Sequence, residues 1–245
     1  MAIISWYKKY TETLERTLER FVRTHPKYKD SKITYAGRLD PMAEGLLLLL
    51  TGSDVHKKEK FLGFEKVYEV DFILGVETDT YDILGMLTSQ GKDDVSDKHL
   101  IQEINNLLQI TTQVYPPYSS KPVLGKPLWK WAKEGRLDEI RIPEKSVEIL
   151  EPTYLGQDLI SKDILECDIL EALELVDGDF RQDEIISSWK SHFENTDREQ
   201  FKVHRMRVRV SSGTYIRSLV SHIGTELGVG ATSLKIRRIQ VGKYT

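Results

Sequence analysis

The sequence predicts an α+β fold built around a mixed sheet, on three observations. Five consecutive leucines, Leu46 to Leu50, read as a strand buried on both faces. Residues 66–75 alternate, with Tyr68, Val70, Phe72 and Leu74 on one face and Glu69 and Asp71 on the other. Residues 214–227 instead place Ile216, Leu219, Val220, Ile223 and Leu227 at helical spacing, with Gly228 as the stop. Long strands interspersed with helices and joined irregularly indicate α+β.

The remaining elements follow in order. Residues 11–23 read as a helix with Leu14, Leu18, Phe21 and Val22 along one stripe. Residues 96–108 suggest another, with Leu100, Ile104, Leu107 and Leu108 inward. A short helix is expected over 125–135, bounded by glycines at both ends. Segments 146–151 and 203–211 look extended, and in the second Met206, Val208 and Val210 alternate with Arg205, Arg207 and Arg209. The acidic stretch 155–200 holds two helical patterns, 164–176 and 183–193, separated by Asp177-Gly178-Asp179. It is open as a lid, an insertion or one side of the core. No internal repeat or low-complexity segment interrupts the pattern.

A chain of 245 residues can bury a substantial core as one large domain or two small ones. The first residues carry too short an apolar stretch for a signal peptide, and no segment approaches ~18 uninterrupted apolar residues. A single cysteine, Cys167, allows no internal disulfide and argues against a protein-only zinc site. A cytosolic protein is expected. The net charge of -3 hides a segregation: residues 151–200 carry 14 acidic against 4 basic side chains, residues 201–245 carry 9 basic against Glu226 alone. A basic end opposed by an acidic middle fits an RNA-facing surface better than a uniform mixture would.

Asp40 sits in a Gly/Pro-bounded loop, Gly37-Arg38-Leu39-Asp40-Pro41-Met42-Ala43-Glu44-Gly45, directly before the leucine run. An isolated Asp-Pro is an ordinary turn. Fixed at the mouth of a strand that cannot move, the same carboxylate can be aimed. Arg217 lies in the first turn of its predicted helix, where the macrodipole disfavours positive charge, so an anionic partner is expected. Tyr68 lies on the apolar face of its strand, where a core aromatic with a bonded hydroxyl is the plain reading. Glu77, Asp79 and Asp82 lack the spacing of an EF-hand loop, and Asx turns explain them better.

Together these strings resemble the motifs of pseudouridine synthases, closest to the bacterial tRNA pseudouridine synthase B family. Residues 37–45 are similar to its Gly-x-Leu-Asp-Pro-x-Ala-x-Gly loop, which makes Asp40 the catalytic acid. Gly213-Thr214-Tyr215-Ile216-Arg217 resembles a motif whose Arg pairs with that acid, with Tyr215 beside it. Lys66-Val67-Tyr68 resembles its Lys-x-Tyr, whose Tyr stacks on the flipped base and has been assigned the C5 proton. Residues 75–85 resemble its Thr-Asp-Thr-x-Asp loop. Pro116, Pro117, Tyr118 and Ser119 resemble a segment that packs beside the site. Ile236-Arg237-Arg238-Ile239 resembles its Leu-Arg-Arg-Leu strand, with Ile236 against the base and the arginines available to phosphates or to the core. Tyr35 stands where the family usually has His, and can stack as well. An N-terminal Lys-Pro box is recognisable only faintly, as Lys8, Lys9, Thr11 and Thr13, and Lys121 is displaced by one. The likeness covers about residues 33–135 and 201–244.

The resemblance implies a mixed, largely antiparallel sheet with a central RNA-binding cleft and flanking helices. Residues 1–245 would form one catalytic domain, with 155–200 as an acidic helical insertion or lid and without the family's small C-terminal RNA-binding domain. The implied reaction turns uridine into pseudouridine, at position 55 in the T loop of tRNA. It breaks the N1–C1′ bond, turns the uracil and rejoins it through C5, so no cofactor or metal is required. Extracting the base costs a few kcal/mol and calls for an apolar or aromatic pocket. The implied partner is the T arm of tRNA, bound by a monomer in the cytoplasm with no membrane and no obligate protein partner. Three rival readings stand beside it. The same chemistry on ribosomal RNA is one, and a non-catalytic RNA-binding folding helper is another. A glycoside hydrolase usually needs two placed carboxylates, and only one convincing acid is present.

Overall fold

The computed structural model of the chain describes residues 2–245. Strand β1 (Ala2–Lys8) is followed by helix α1 (Leu14–Thr24). The helix begins three residues later than its periodicity suggests. Thr11 has a φ of 67° and its N–H donates to the Pro41 carbonyl, while the Thr13 hydroxyl caps the helix from outside. Strands β2 (Ile33–Ala36) and β3 (Ala43–Thr51) then form a hairpin, with β1 on the other edge of β3. Every residue of β3 is buried: Leu46, Leu48 and Leu50 pack with Phe61 and Val241, and Leu47 and Leu49 pack under α1. The two-sided burial expected of the leucine run is what the fold shows.

After the short helix α2 (Lys58–Leu62), strand β4 (Lys66–Leu74) directs Tyr68, Val70, Phe72 and Leu74 into the main core. Strands β5 (Val76–Thr78) and β6 (Leu87–Gln90) hold the 79–86 loop between them. Helix α3 (Asp97–Asn106), capped by Ser96, buries Leu100 and Ile104. A 3-10 turn over Leu107–Gln109 then tightens the chain, so Leu107 stays inside while Leu108 is 53% exposed. Leu108 is thus a correction to the inward stripe. Strand β7 (Thr112–Val114) leads to the hairpin β8 (Pro122–Val123) and β9 (Lys126–Pro127). Leu124 and Gly125 form its turn, both at positive φ, so Gly125 belongs to a hairpin and helix α4 (Leu128–Lys133) starts only after it.

Strand β10 (Glu144–Ser146) pairs with β7, and β11 (Ile149–Ser161) enters the main sheet. Helices α5 (Lys162–Glu174) and α6 (Gln182–Asn195) follow, then β12 (Gln200–Val210), α7 (Ile216–Glu226) and β13 (Ala231–Val241). The acidic stretch is therefore strand as far as Ser161 and helical only beyond it. Its two helices bury Leu165, Ile169, Leu173, Ile185, Trp189 and Phe193 against Ile73, Ile83 and Leu84, making one side of a second core.

Among the described residues the main sheet has seven strands, in the order β1-β3-β13-β4-β12-β11 with β2 beside β3. All neighbours are antiparallel except β13 and β3. Their parallel contact needs Gly45, at φ 109°, because a Cβ there would lie 2.3 Å from the Arg238 carbonyl oxygen. Helix α7 packs on the apolar face of β4, β12 and β13, and its Arg217 emerges beside the loop that precedes β3. No helix among the described residues is long and apolar enough to cross a membrane.

Candidate active site

The loop between β2 and β3 is held from below by two buried cations. Arg238, 1% exposed, donates from Nε to the Leu46 carbonyl at 2.7 Å and from its terminal nitrogens to the carbonyls of Gly37 and Arg38. Lys8, also fully buried, donates from Nζ to the carbonyls of Lys9, Pro41 and Ala43. Burial pushes the Lys8 ammonium down to about 8, against the pull of Asp40, Glu12 and Glu44. Asp40 stands on this platform with its side chain 37% exposed.

Arg217 completes the arrangement from the first turn of α7. Its Nε donates to Asp40 Oδ2 at 3.0 Å, one terminal nitrogen to the Thr80 carbonyl at 2.7 Å, the other to the Tyr118 carbonyl at 2.9 Å. Its side chain is 3% exposed. Burial disfavours the charge, but Asp40 and Asp82 outweigh it and hold the guanidinium above its ordinary value. One hydrogen bond therefore reaches Asp40, and the rest of the fork ties the 79–82 loop and the Tyr118 segment to α7. Asp82 lies beneath, wholly buried. Burial pushes it up to about 6, against the opposing effects of Arg217, the Thr80 hydroxyl and the Leu84 N–H. That Leu84 N–H to Asp82 bond is the Asx turn expected of the loop.

Two cavities meet at Asp40. One, of about 560 Å³, is lined by Tyr68, Tyr215, Ile236, Leu39 and Ser119. The other, of about 600 Å³, is lined by Tyr118, Trp129, Phe180, Arg181 and Leu84, and both share Arg38, Asp40 and Arg217. Tyr68 is 7% exposed and its hydroxyl makes no side-chain hydrogen bond among the described residues. Tyr215, mostly buried, has its phenol pushed up by that burial and by Asp40. Tyr118 accepts from Arg217 through its carbonyl and carries Arg181 over its ring, and burial with the nearby Asp79 raises its phenol to about 12.

Four residues expected at the RNA or the base make other contacts. Lys66 reaches the same wall, but its Nζ is spent on the carbonyls of Leu62 and Phe64 and on Ser212 Oγ, so it ties α2 to the loop before α7. Burial, with Arg238 and Lys145 nearby, lowers it to about 8. Arg238 is the loop's buttress and is closed to phosphates. Arg237 pairs with Glu44 and Glu69, on the face of the sheet opposite Tyr68. Tyr35 packs into the small core under α1, with Lys58 over its ring, and lines neither cavity. The basic segment 201–245 is likewise largely spent on the far face, where Arg205, Arg207 and Arg209 pair with Asp71, Glu69 and Glu151.

Sequence reading missed Asp82, Lys8 and Arg38 as parts of the site. Arg38 was legible, because it precedes the Leu-Asp of the loop and stays exposed with no ion pair among the described residues. Lys8 bonds only main-chain carbonyls, which leave no residue-type signature. Among the described residues no group of three or more His, Cys, Asp or Glu side chains is arranged to hold a metal ion.

Comparison with known proteins follows the same residues. The family model described as TruB family pseudouridylate synthase (N terminal domain) matches residues 25–167. The tRNA pseudouridine synthase B of Thermosipho melanesiensis is 32% identical over 213 residues, 87% of this chain and 56% of its own length. That of Thermotoga maritima is 30% identical over 219 residues, 89% of this chain and 57% of its own. That of Fusobacterium nucleatum is 29% identical over 232 residues, 94% and 63%. The chain thus spans somewhat more than half the length of these relatives. Among solved structures, a Cbf5-Nop10-Gar1 complex matches with a TM-score of 0.56 at 17% identity, covering 99% of this chain and 49% of that one. An H/ACA RNP bound to a substrate RNA containing 2'-deoxyuridine matches at a TM-score of 0.53 and 18% identity, over 99% of this chain and 48% of that one. At such identities the likeness shows the fold. The family model takes in more than half the chain, including the Asp40 loop, β4 and the 79–86 loop, and the chain belongs to the TruB family of pseudouridylate synthases.

Proposed function

We propose that this chain isomerises uridine to pseudouridine in RNA, at uridine 55 in the T loop of tRNA, with Asp40 as the reacting carboxylate. The observation that carries the reading is Asp40 itself: an accessible acid aimed by a buried Arg217 at the junction of two cavities, with Tyr68 on the wall. Family membership supports the reaction class, and the relatives' shared description as tRNA pseudouridine synthase B supports tRNA as the substrate.

The flipped uracil enters the cavity beside Tyr68 and Ile236, where an aromatic face and an apolar side chain replace its stacking partners. Asp40 acts at the sugar or at C6 while Arg217 fixes its direction through Nε. The N1–C1′ bond breaks, the base turns, and C5 bonds to C1′. The C5 proton leaves to Tyr68 and N1 gains one, so no atom enters or leaves the product. Residues 1–245 act in this as one catalytic domain, a monomer in the cytoplasm that grips the T arm.

The test joins two measurements. Pseudouridine mapping in RNA from cells with and without the gene should show loss at position 55. Purified Asp40→Asn should bind a T stem-loop as wild type does and fail to turn it over, because shape is kept and the reacting charge is gone. Residual turnover within about tenfold of wild type, a barrier change of only ~1.4 kcal/mol, would overturn Asp40's role.

A further inference from the structure

Strands β11 and β12 stay paired to their tips, where Ser161 faces Gln200. A two-residue turn suffices to join such ends. The chain instead inserts α5, a loop and α6, and the helices' apolar faces anchor that loop at the rim of the larger cavity. The loop is tied down at three points. Asp177 pairs with Arg16 of α1, and Asp179 with Lys133 of α4, both in the open, where such pairs contribute little.

The third tie differs. The terminal nitrogens of Arg181 donate to both oxygens of Asp79, at 2.9 and 3.3 Å, and its guanidinium carbon lies 4.5 Å from the centre of the Tyr118 ring. Both charged partners are about four-fifths buried, at 21% and 23% exposure. The backbone of Arg181 is left-handed, φ 63° and ψ 36°, a conformation that a residue with a Cβ keeps only where its surroundings hold it.

Asp79 and Tyr118 belong to the two segments whose carbonyls hold Arg217. The Thr80 carbonyl accepts from one terminal nitrogen, the Tyr118 carbonyl from the other, and Nε donates to Asp40. We infer that Arg181 is a positioning residue: it clamps the 79–82 loop to Tyr118, and so sets the frame from which Arg217 aims Asp40. The inserted helices thereby reach the chemistry through the Asp79 and Tyr118 contacts of Arg181, with no hydrogen bond or ion pair to Asp40 among the described residues. This rests on the reading of Asp40 as the reacting group.

The test uses the full chain with Arg181→Gly and Arg181→Lys. Glycine takes the left-handed φ without strain, so the fold is kept while the guanidinium is lost. Amide hydrogen exchange of the RNA-free protein should rise roughly tenfold over 78–86 and 117–120, with α6 unchanged. Turnover on a T stem-loop should fall about tenfold to a hundredfold in kcat, with KM nearly constant, the signature of misplaced rather than missing chemistry. Lysine, which keeps the charge but cannot hold both oxygens and stack on Tyr118, should rescue little of it. Unchanged exchange overturns the clamp whether or not the wild type turns over RNA. A wild type without turnover sinks the functional reading, and exchange alone then judges the clamp. Loosened loops with an intact kcat overturn the link to Asp40. A raised KM with an unchanged kcat also overturns it, because Arg181 would then be holding RNA directly.

Discussion

Arg217 spends one donor on Asp40 and two on main-chain carbonyls, and this division predicts what its replacement does. Arg217→Lys keeps the charge and loses the planar fork. A single Nζ cannot stand where three separate guanidinium nitrogens now donate, so kcat on a T stem-loop should drop by about a hundredfold. The Thr80 and Tyr118 carbonyls, left short of a donor, should also cost stability on the order of 1–3 kcal/mol in chemical denaturation. Near-normal turnover in that variant would reduce Arg217 to a structural tie. Tyr68 admits a sharper separation. Stacking on a flipped base predicts that Tyr68→Phe binds RNA well and Tyr68→Leu poorly, by roughly 1–3 kcal/mol. Proton removal predicts that Phe binds and does not turn over. If both variants match wild type in equilibrium binding and single-turnover rate, Tyr68 is core packing. The sequence could announce the Asp40–Arg217 pair, because a cation at a helix start needs an anion. It could not announce Arg217's other two contacts, because any residue supplies a carbonyl.

At the scale of elements, periodicity served wherever packing follows a single face. The leucine run, β4 and α7 appear where their patterns put them, and the two acidic helices differ from expectation by two residues or fewer at each end. It failed where the backbone changes pitch. Leu108 sits in a 3-10 turn, and Gly125 turns a hairpin that a helix-stop reading could not distinguish from a helix boundary. Strand β12 carries a consequence of its own. His204 points inward, its ring tilted against Phe72 at 5.5 Å between centres, with Nδ1 in contact with the Tyr154 hydroxyl at 3.1 Å. Burial lowers it to about 4. Between pH 6.5 and 4 only the unfolded chain takes up that proton, so this group's contribution to stability is lost as pH falls through the window. It amounts to on the order of 3 kcal/mol. His204→Phe should flatten that acid limb in urea melts taken from pH 7 to 4. A limb unchanged by the substitution would show that His204 is already solvated in the folded protein.

At the scale of the whole molecule, summing charge along the chain misled. Over residues 205–209 of β12 arginine occupies every second position, and a strand sends every second side chain to one face, where β4 and β11 supply acids far away in sequence. At the mouth of the cleft Arg38 lines both cavities and is exposed, with no ion pair among the described residues. Arg38→Gln should therefore weaken T stem-loop binding and reduce the slope of log affinity against log salt by about 0.7–0.9, one phosphate's worth. Arg207→Gln should change neither. Equal losses in the two variants, read from titrations at several salt concentrations, would mean that RNA also wraps the far face.

The place of β13 governs how the molecule comes into being. It lies between β3 and β4 and, among the described residues, alone bridges the β1–β2–β3 half of the sheet and the β4–β12–β11 half. A polypeptide leaving the ribosome N-terminus first therefore carries two half-sheets whose facing edges stay open until residues 231–241 emerge. Open edges of that kind recruit other chains. The same strand delivers Arg238, so the loop carrying Asp40 gains its support only as β13 docks. Nascent chains halted short of β13 should thus be both inert and sticky, and a chaperone that shields strand edges would matter most until that strand has docked.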